Sequence, residues 1–478
     1  MLVRTIGLTL LAALAVPATA QIGETEYADR RARLAERMGE GTLVAYGAPN
    51  YLNHTFETRQ LSAFAYLTGF AEPDAVLVLV HDEGGLRGDL FTLTPTVRTQ
   101  LYDGFRASPE ALAARTGFRV RSLEAMAPYV DSLAATGQPL YDLRDFQTED
   151  YASRDSLTRG GVFVRALEAR HGRPVADLHP VVNDLRARKS EAEVALLQRA
   201  IDITEGALKA AFEMIEPGVW EYEVEATIEH GFRSAGAPGP AFSSIVGAGP
   251  NSTTLHYIEN GRRAEAGELI LMDVGASYGG YAADVTRTVP VSGSFTREQR
   301  AIYDLVLEAQ EAAEALVRPD APASASLDAS RQVRLQGLAA LGLIESPEAT
   351  FDPPWPVDCE AHPDQCLQGN LFMIHGISHG IGLEVHDPAS FYTGARTYQS
   401  GDAFTIEPGL YLSLRVLDLL TDTPKNRAFL EAVRETVARY DNIGVRIEDD
   451  YLVTGDGVRR LSAGVPRDPE AIERAMAR

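Results

Sequence analysis

Cysteine is almost missing from this chain: Cys359 and Cys366 are the only two in 478 residues. That excludes a scaffold held together by many disulfides. The pair lies seven positions apart in a Pro-rich, polar loop at 351–368. In an oxidising compartment the two would most simply form a small structural disulfide. Zinc held by Cys359, His362 and Cys366 is the alternative, and it lacks a fourth ligand. Long apolar runs are missing too. Beyond residue 20 nothing approaches the roughly 20 apolar residues that a membrane span takes, so no membrane insertion is expected of the mature chain. Basic residues are in deficit, with 44 Lys and Arg against 67 Asp and Glu and a formal charge of −23. Nucleic acid and anionic membrane surfaces are therefore poor partners. Low-complexity tracts and internal repeats are absent.

What is present starts with a leader. Arg4 supplies a positive n-region, residues 6–16 an apolar h-region, and Ala18-Thr19-Ala20 an A-x-A cleavage site behind Pro17. Residues 1–20 thus read as a secretory signal peptide, which predicts export to a periplasm or the extracellular space and a mature chain beginning at Gln21. Cleavage removes Arg4 and no other charged residue, moving −23 to −24. The remaining length is too great for one ordinary core and predicts two domains. We place them at 21–185 and 186–478.

The first domain opens with a charged helix at 24–39. Strands at 41–47, 75–81 and 90–93 alternate with helices, as in an α/β unit. It gathers no His, Cys or carboxylates at ligand spacing and reads as a scaffold or specificity domain. The second begins at the capping box Ser190-Glu-Ala-Glu193, with helices at 192–212, 221–234, 296–317 and 327–341. Strands are expected at 243–246, 403–408 and 445–453, and a solvated helical decoration within 417–440.

At 269–290, two apolar runs flank a Gly-containing turn, which predicts a β-hairpin. A turn centred on Tyr278–Gly279 sets Asp273 opposite Asp284. Two carboxylates so close need a shared proton or a cation, unless the pair is a solvated rim. Downstream, His375, His379 and His386 fall within twelve positions of a segment whose Gly376, Gly380 and Gly382 argue against a regular helix. Glu407 ends an apolar strand just before Pro408. In 443–450, Val445 and Ile447 face one side and Arg446, Glu448 and Asp450 the other. Asp273, Asp284, His379, Glu407 and Glu448 together make four carboxylates and one imidazole. Such a set suffices for two divalent metal ions, with Mn²⁺ favoured and Co²⁺, Zn²⁺ or Fe²⁺ allowed by the same donors.

These segments resemble the Xaa-Pro aminopeptidase (aminopeptidase P) and prolidase metallopeptidases. The resemblance is carried by Ile245-Val-Gly, Leu255-His-Tyr, Met272-Asp-Val-Gly, Tyr281-Ala-Ala-Asp-Val-Thr-Arg-Thr, His375-Gly-Ile-Ser-His-Gly, Val385-His-Asp, Ile406-Glu-Pro-Gly-Leu-Tyr and Val445-Arg-Ile-Glu-Asp-Asp. It implies an α/β (α+β) protein in which a creatinase-like α/β domain precedes a "pita-bread" catalytic domain. The amino-terminal Tyr66-Leu-Thr-Gly-Phe segment resembles the first of these. The resemblance also implies that the five residues above are dinuclear metal ligands, with Asp284 and Glu448 bridging. It makes Glu407 the general base, His256 and His386 catalytic histidines, and His375, Tyr411 and Arg446 substrate-binding neighbours. The implied substrate is a peptide with proline in second position. The loops at 351–368 and 413–440 depart from the family's pattern at the cleft mouth. Prolidase, which takes Xaa-Pro dipeptides, shares the whole ligand set and is the nearer rival. A non-catalytic binding module on the same scaffold is the remote one. The sequence leaves room for a homo-oligomer.

Overall fold

The two faces of a single strand account for the amino-terminal half. In Gly41–Tyr46, Leu43 and Ala45 point to one side and Val44 to the other, the period of two that a sheet covered on both faces requires. Val76–Asp82 repeats the pattern: Leu77 and Leu79 pack with Phe64 and Leu67, while Val76, Val78 and Val80 pack with Met126, Val130 and Leu167. The computed structural model describes residues 21–49, 59–144, 159–388 and 396–477, so the leader at 1–20 lies outside the described residues. Six strands form this sheet in the order Arg119–Ser122, Gly85–Thr92, Val76–Asp82, Gly41–Tyr46, Leu140–Asp142, Ala176–Asp177. The Gly41–Tyr46, Val76–Asp82 and Gly85–Thr92 strands run antiparallel to their neighbours within that trio, and the outer pairings are parallel.

The helix Glu191–Met214 begins as its sequence predicts. The Ser190 hydroxyl accepts from the Glu193 amide and the Glu193 carboxylate from the Ser190 amide. Glu221–Ser234 packs beside it, and Arg297–Glu314 pairs with Ala323–Ala340. These helices cover small sheets, of which those carrying Leu269–Val274 and Gly409–Leu412 share one large core with Phe212, Ile228, Val289, Ile302 and Val306, while Ala403–Ile406 and Asp449–Val453 pack in separate clusters.

Three expectations need correction. The hairpin turns on Gly279–Gly280, one residue later than expected, with Tyr278 opposite Tyr281. Both glycines take positive φ, 59° and 88°, as a two-residue primed turn demands, and a tyrosine would be strained there. Asp273 therefore opposes Thr286 rather than Asp284. A slip of this size moves the partner by two residues, so Asp284 stays on the same face, diagonal to Asp273.

The strand expected at 445–453 is two strands in different sheets. Ile443–Arg446 pairs with Gly409–Leu412, and Asp449–Val453 pairs with Ala403–Ile406. Pro408 has no N–H to continue its ladder, and at the same level the Glu448 amide leaves to donate to the Thr286 carbonyl at 3.1 Å. Within 417–440 the helix Pro424–Arg439 is not a solvated decoration: Phe429, Val433 and Val437 enter the main core. The 351–368 loop is bridged by Cys359–Cys366, with Cα atoms 5.8 Å apart.

Gly275, opposite Asp284, has room for no side chain: an added Cβ would run into the carbonyl of Ala283. Gly275→Ala should destabilise the fold by about 3 kcal/mol or more, whereas Gly455→Ala, where a Cβ meets nothing, should change little. Denaturant midpoints of the two variants check this.

Candidate metal centre

Both strand breaks bring carboxylates to one buried point. Glu407 follows Ala403–Ile406, Glu448 lies between the two strands just described, and Asp284 lies between Tyr281–Ala282 and Val285–Pro290. His379 comes from a stretch with no regular helix and is fixed through its backbone: its amide donates to the Thr405 hydroxyl and its carbonyl accepts from the Thr405 amide. Its Nε2 stands 3.5 Å from Asp284 Oδ2, 3.4 Å from Glu407 Oε1 and 3.5 Å from Glu448 Oε1. Asp284, His379 and Glu448 each offer a donor atom within 4.8 Å of the others. Asp273 joins from the adjacent strand, where its Oδ2 accepts from Arg446 Nη2 at 2.6 Å. The Oδ1 atoms of Asp273, Asp284 and Asp450 are buried without a hydrogen-bond partner.

Electrostatics make this crowd costly without a cation. Burial, then the charges of Glu448, Asp273 and Asp450, push the Asp284 carboxyl well above the ordinary range. Burial and Glu448 likewise raise Glu407 to about 8. Burial alone would lower His379, but its hydrogen bond with Glu448 and the charges of Glu407 and Glu448 prevail and hold it at about 9. Oxygen donors with one imidazole, close-set and with unmatched lone pairs, fit a divalent ion. Asp284, His379, Glu407, Glu448 and Asp273 are the residues that would hold it.

A hydrogen-bonded chain leads outward from Asp273. Arg446 Nη1 donates to the Tyr411 hydroxyl at 2.7 Å, and that hydroxyl lies 2.8 Å from His375 Nε2. His375 Nδ1 sits 2.6 Å from the Gly376 carbonyl, which can only accept. Nδ1 therefore carries the proton, Nε2 accepts from Tyr411, and Tyr411 accepts from Arg446. Burial and the Arg446 charge push His375 down to about 3, keeping it neutral. His386 packs on His379 with ring centroids 4.2 Å apart. His256 stands exposed after the turn Gly249–Thr253.

Several supporting residues were not singled out from the sequence. The Thr286 hydroxyl donates to Glu448 Oε2 at 2.7 Å. Arg287 uses all five of its N–H groups: on the carbonyls of Thr286, Glu448, Val465 and Pro466, and on Asp449 Oδ1. Gln310 reaches the carbonyls of Ile406 and Ile447, the residues just before Glu407 and Glu448. Thr286 and Arg287 belong to the quoted Asp284-Val-Thr-Arg-Thr run, which was a usable signal. Gln310 had none, being one polar residue in a long charged helix.

The raised groups set a pH dependence for chelated protein. Glu407 titrates near 4.5 when unfolded and near 8 when folded, so its stability contribution falls as pH rises through that window. The stability from His379 is full below about 6.5 and lost through about 9. A bound cation favours the ionised carboxylates and offsets the loss. The melting-temperature gap between metal-loaded and chelated protein should thus widen between about pH 5 and 8, by about 5 °C or more. Thermal scans across that range check it.

The chain is also similar to known proteins over nearly its whole length. The model of metallopeptidase family M24 matches residues 195–455, and that of the aminopeptidase P N-terminal domain matches 27–141. The Xaa-Pro aminopeptidase of Escherichia coli is 33% identical over 95% of this chain and 98% of its own. Human Xaa-Pro dipeptidase is 28% identical over 94% and 93%. The solved low-pH form of aminopeptidase P from E. coli superposes with a TM-score of 0.78 at 32% identity, covering 95% of this chain and 98% of that one. The likeness runs through the strands that carry the buried carboxylates as well as through the amino-terminal sheet, and the chain belongs to metallopeptidase family M24.

Proposed function

We propose that this chain is an exported, dinuclear-metal Xaa-Pro aminopeptidase that releases the first residue of peptides with proline second. One observation carries the reading. The cluster of buried Asp273, Asp284, His379 and Glu448 with half-buried Glu407, and its unmatched oxygens, sits in a chain that aligns nearly end to end with an Xaa-Pro aminopeptidase. Mn²⁺ is the ion we assign, on the preponderance of oxygen donors.

Two divalent cations held there supply Lewis acidity and an acidified water. The chain's residues do the rest. Glu407, ionised once cations offset the neighbouring carboxylates, takes a proton from the attacking water and passes it towards the leaving nitrogen. That nitrogen is proline's, a tertiary amide without an N–H. His256 and His386 donate to the carbonyl oxygen as charge develops on it. Arg446 and Tyr411 hold Asp273 and His375 in place, and neutral His375 offers the substrate an uncharged wall. The substrate's α-ammonium is drawn to the carboxylates, which restricts cleavage to the first residue. The dipeptidase reading is kept as the rival because of the full-length similarity to human Xaa-Pro dipeptidase; Arg-Pro-Pro assayed against Ala-Pro separates the two. Export is supported by the leader and by the Cys359–Cys366 bridge, a bond suited to an oxidising compartment.

Glu407→Gln should lower kcat on Arg-Pro-Pro by about 10²–10⁴-fold with part of the metal retained. Asp284→Asn should lose metal and nearly all turnover, because an amide offers a single neutral oxygen. Metal content and turnover are measured together, and full metal with near-normal turnover in Asp284→Asn would refute its bridging role. Mass spectrometry of the secreted protein should find Gln21 as the first residue; an intact Met1 in the cytosol would count against export.

A further inference from the structure

One buried cation near the metal centre is not used by that site. Arg334 lies on the helix Ala323–Ala340, only 5% exposed, and its Nε and Nη1 have no hydrogen-bond partner among the described residues. A guanidinium so placed normally meets an acceptor, since burial strips it of water. Arg446, the guanidinium beside the metal ligands, is committed to Asp273 and Tyr411. Arg334 instead lines an open cleft of about 500 Å³ with Trp355, Gln365, Met373, Ile374 and His375, a size suited to a small ligand. Ile374 and Trp355 expose apolar surface there, at 64% and 39%. His375 joins the two places, because it lines this cleft and its Nδ1 is 3.6 Å from Glu407 Oε2.

We infer that Arg334 is a specificity-determining residue that takes the C-terminal carboxylate of a short peptide lying across His375. The inference rests on the peptidase reading above and deepens it. A short peptide has one cationic end and one anionic end. The metal pocket is crowded with carboxylates, and the cleft beyond His375 holds a guanidinium lacking an acceptor. Laid one way, both termini meet opposite charge; laid the other way, both meet like charge. A carboxylate matches the planar fork of the guanidinium with two oxygens. Trp355 and Ile374 would cover the side chain next to it. The 351–368 loop, closed by Cys359–Cys366, supplies Trp355 and Gln365 as walls, so the selectivity is for short substrates ending in this cleft.

The test compares Ala-Pro-Ala with its C-terminal amide on the metal-loaded enzyme, and the fragment Pro-Ala with its amide by calorimetry. Wild type should favour the free acids by about ten- to hundredfold in kcat/KM and in affinity. In Arg334→Gln that preference should shrink to less than about threefold, chiefly through KM, and Arg334→Lys should restore part of it. Equal affinity of wild type for Pro-Ala and its amide overturns the assignment without recourse to any variant. An equal loss on acid and amide in Arg334→Gln overturns it too, marking a structural role. Acid-selective binding of Pro-Ala without cleavage of either tripeptide supports the Arg334 assignment and refutes the peptidase reading, so the two failures are distinguishable.

Discussion

Mutual repulsion among buried carboxylates is the constraint to which the catalytic half answers. Asp273, Asp284, Glu407, Glu448 and Asp450 are brought together with Arg446 and His379 as the nearby cations. Burial of that many acids is unfavourable unless protons or cations accompany them. The surrounding backbone must therefore be stiff enough to hold a geometry that its side chains resist. Arg287 does much of this by joining four carbonyls and Asp449. Gln310 closes the gap that the broken ladders leave before Glu407 and Glu448.

The same arrangement explains why Asp284, Glu407 and Glu448 sit at interruptions, while Asp273 alone stays inside a strand, Leu269–Val274. A regular strand points alternate residues to opposite faces and offers one carboxylate to a given point per two residues. Breaking the ladders at Glu407–Pro408, Ile447–Glu448 and Gly275/Asp284 lets four chain segments converge on one place. Each break leaves polar backbone groups, and each is satisfied by a named partner: Thr286 for Glu448, Ile377 for Glu407, Asp450 for Asp284.

Local features were legible in the sequence wherever a local cause set them. The Ser190 capping box, the helix Glu221–Ser234 and the two-sided strands follow from short-range chemistry, and the structure shows them there. The spatial meeting of Asp284, His379, Glu407 and Glu448 was readable through family motifs, and the bare hairpin argument left a solvated rim open. The hairpin's register was misplaced because two adjacent glycines compete to centre a turn, and only one choice gives both positive φ. The division at Ile447–Glu448 was hidden because Ile-Glu-Asp-Asp alternates as a continuous strand would; the break is imposed by Thr286 and Pro408 from elsewhere in the chain. Arg334 and Gln310 carry no local signal, since their roles depend on what the fold leaves unpaired.

The first helix is tied to the hairpin by a short polar chain. Ser190 donates to Glu26 at 2.7 Å, Arg30 lies 3.3 Å from Glu193, and Tyr281, three residues before Asp284, donates to Glu193 at 2.8 Å. Recombination between relatives therefore has a hidden unit of inheritance. A chimera that joins the amino-terminal sheet of one protein to the catalytic half of another must carry Glu26 and Arg30 with Ser190, Glu193 and Tyr281 as a matched set. A crossover placed by sequence boundaries alone would leave Arg30 with Glu26 on its own helix but part both from Glu193 and Ser190, loosening the contact on which the metal-bearing hairpin leans.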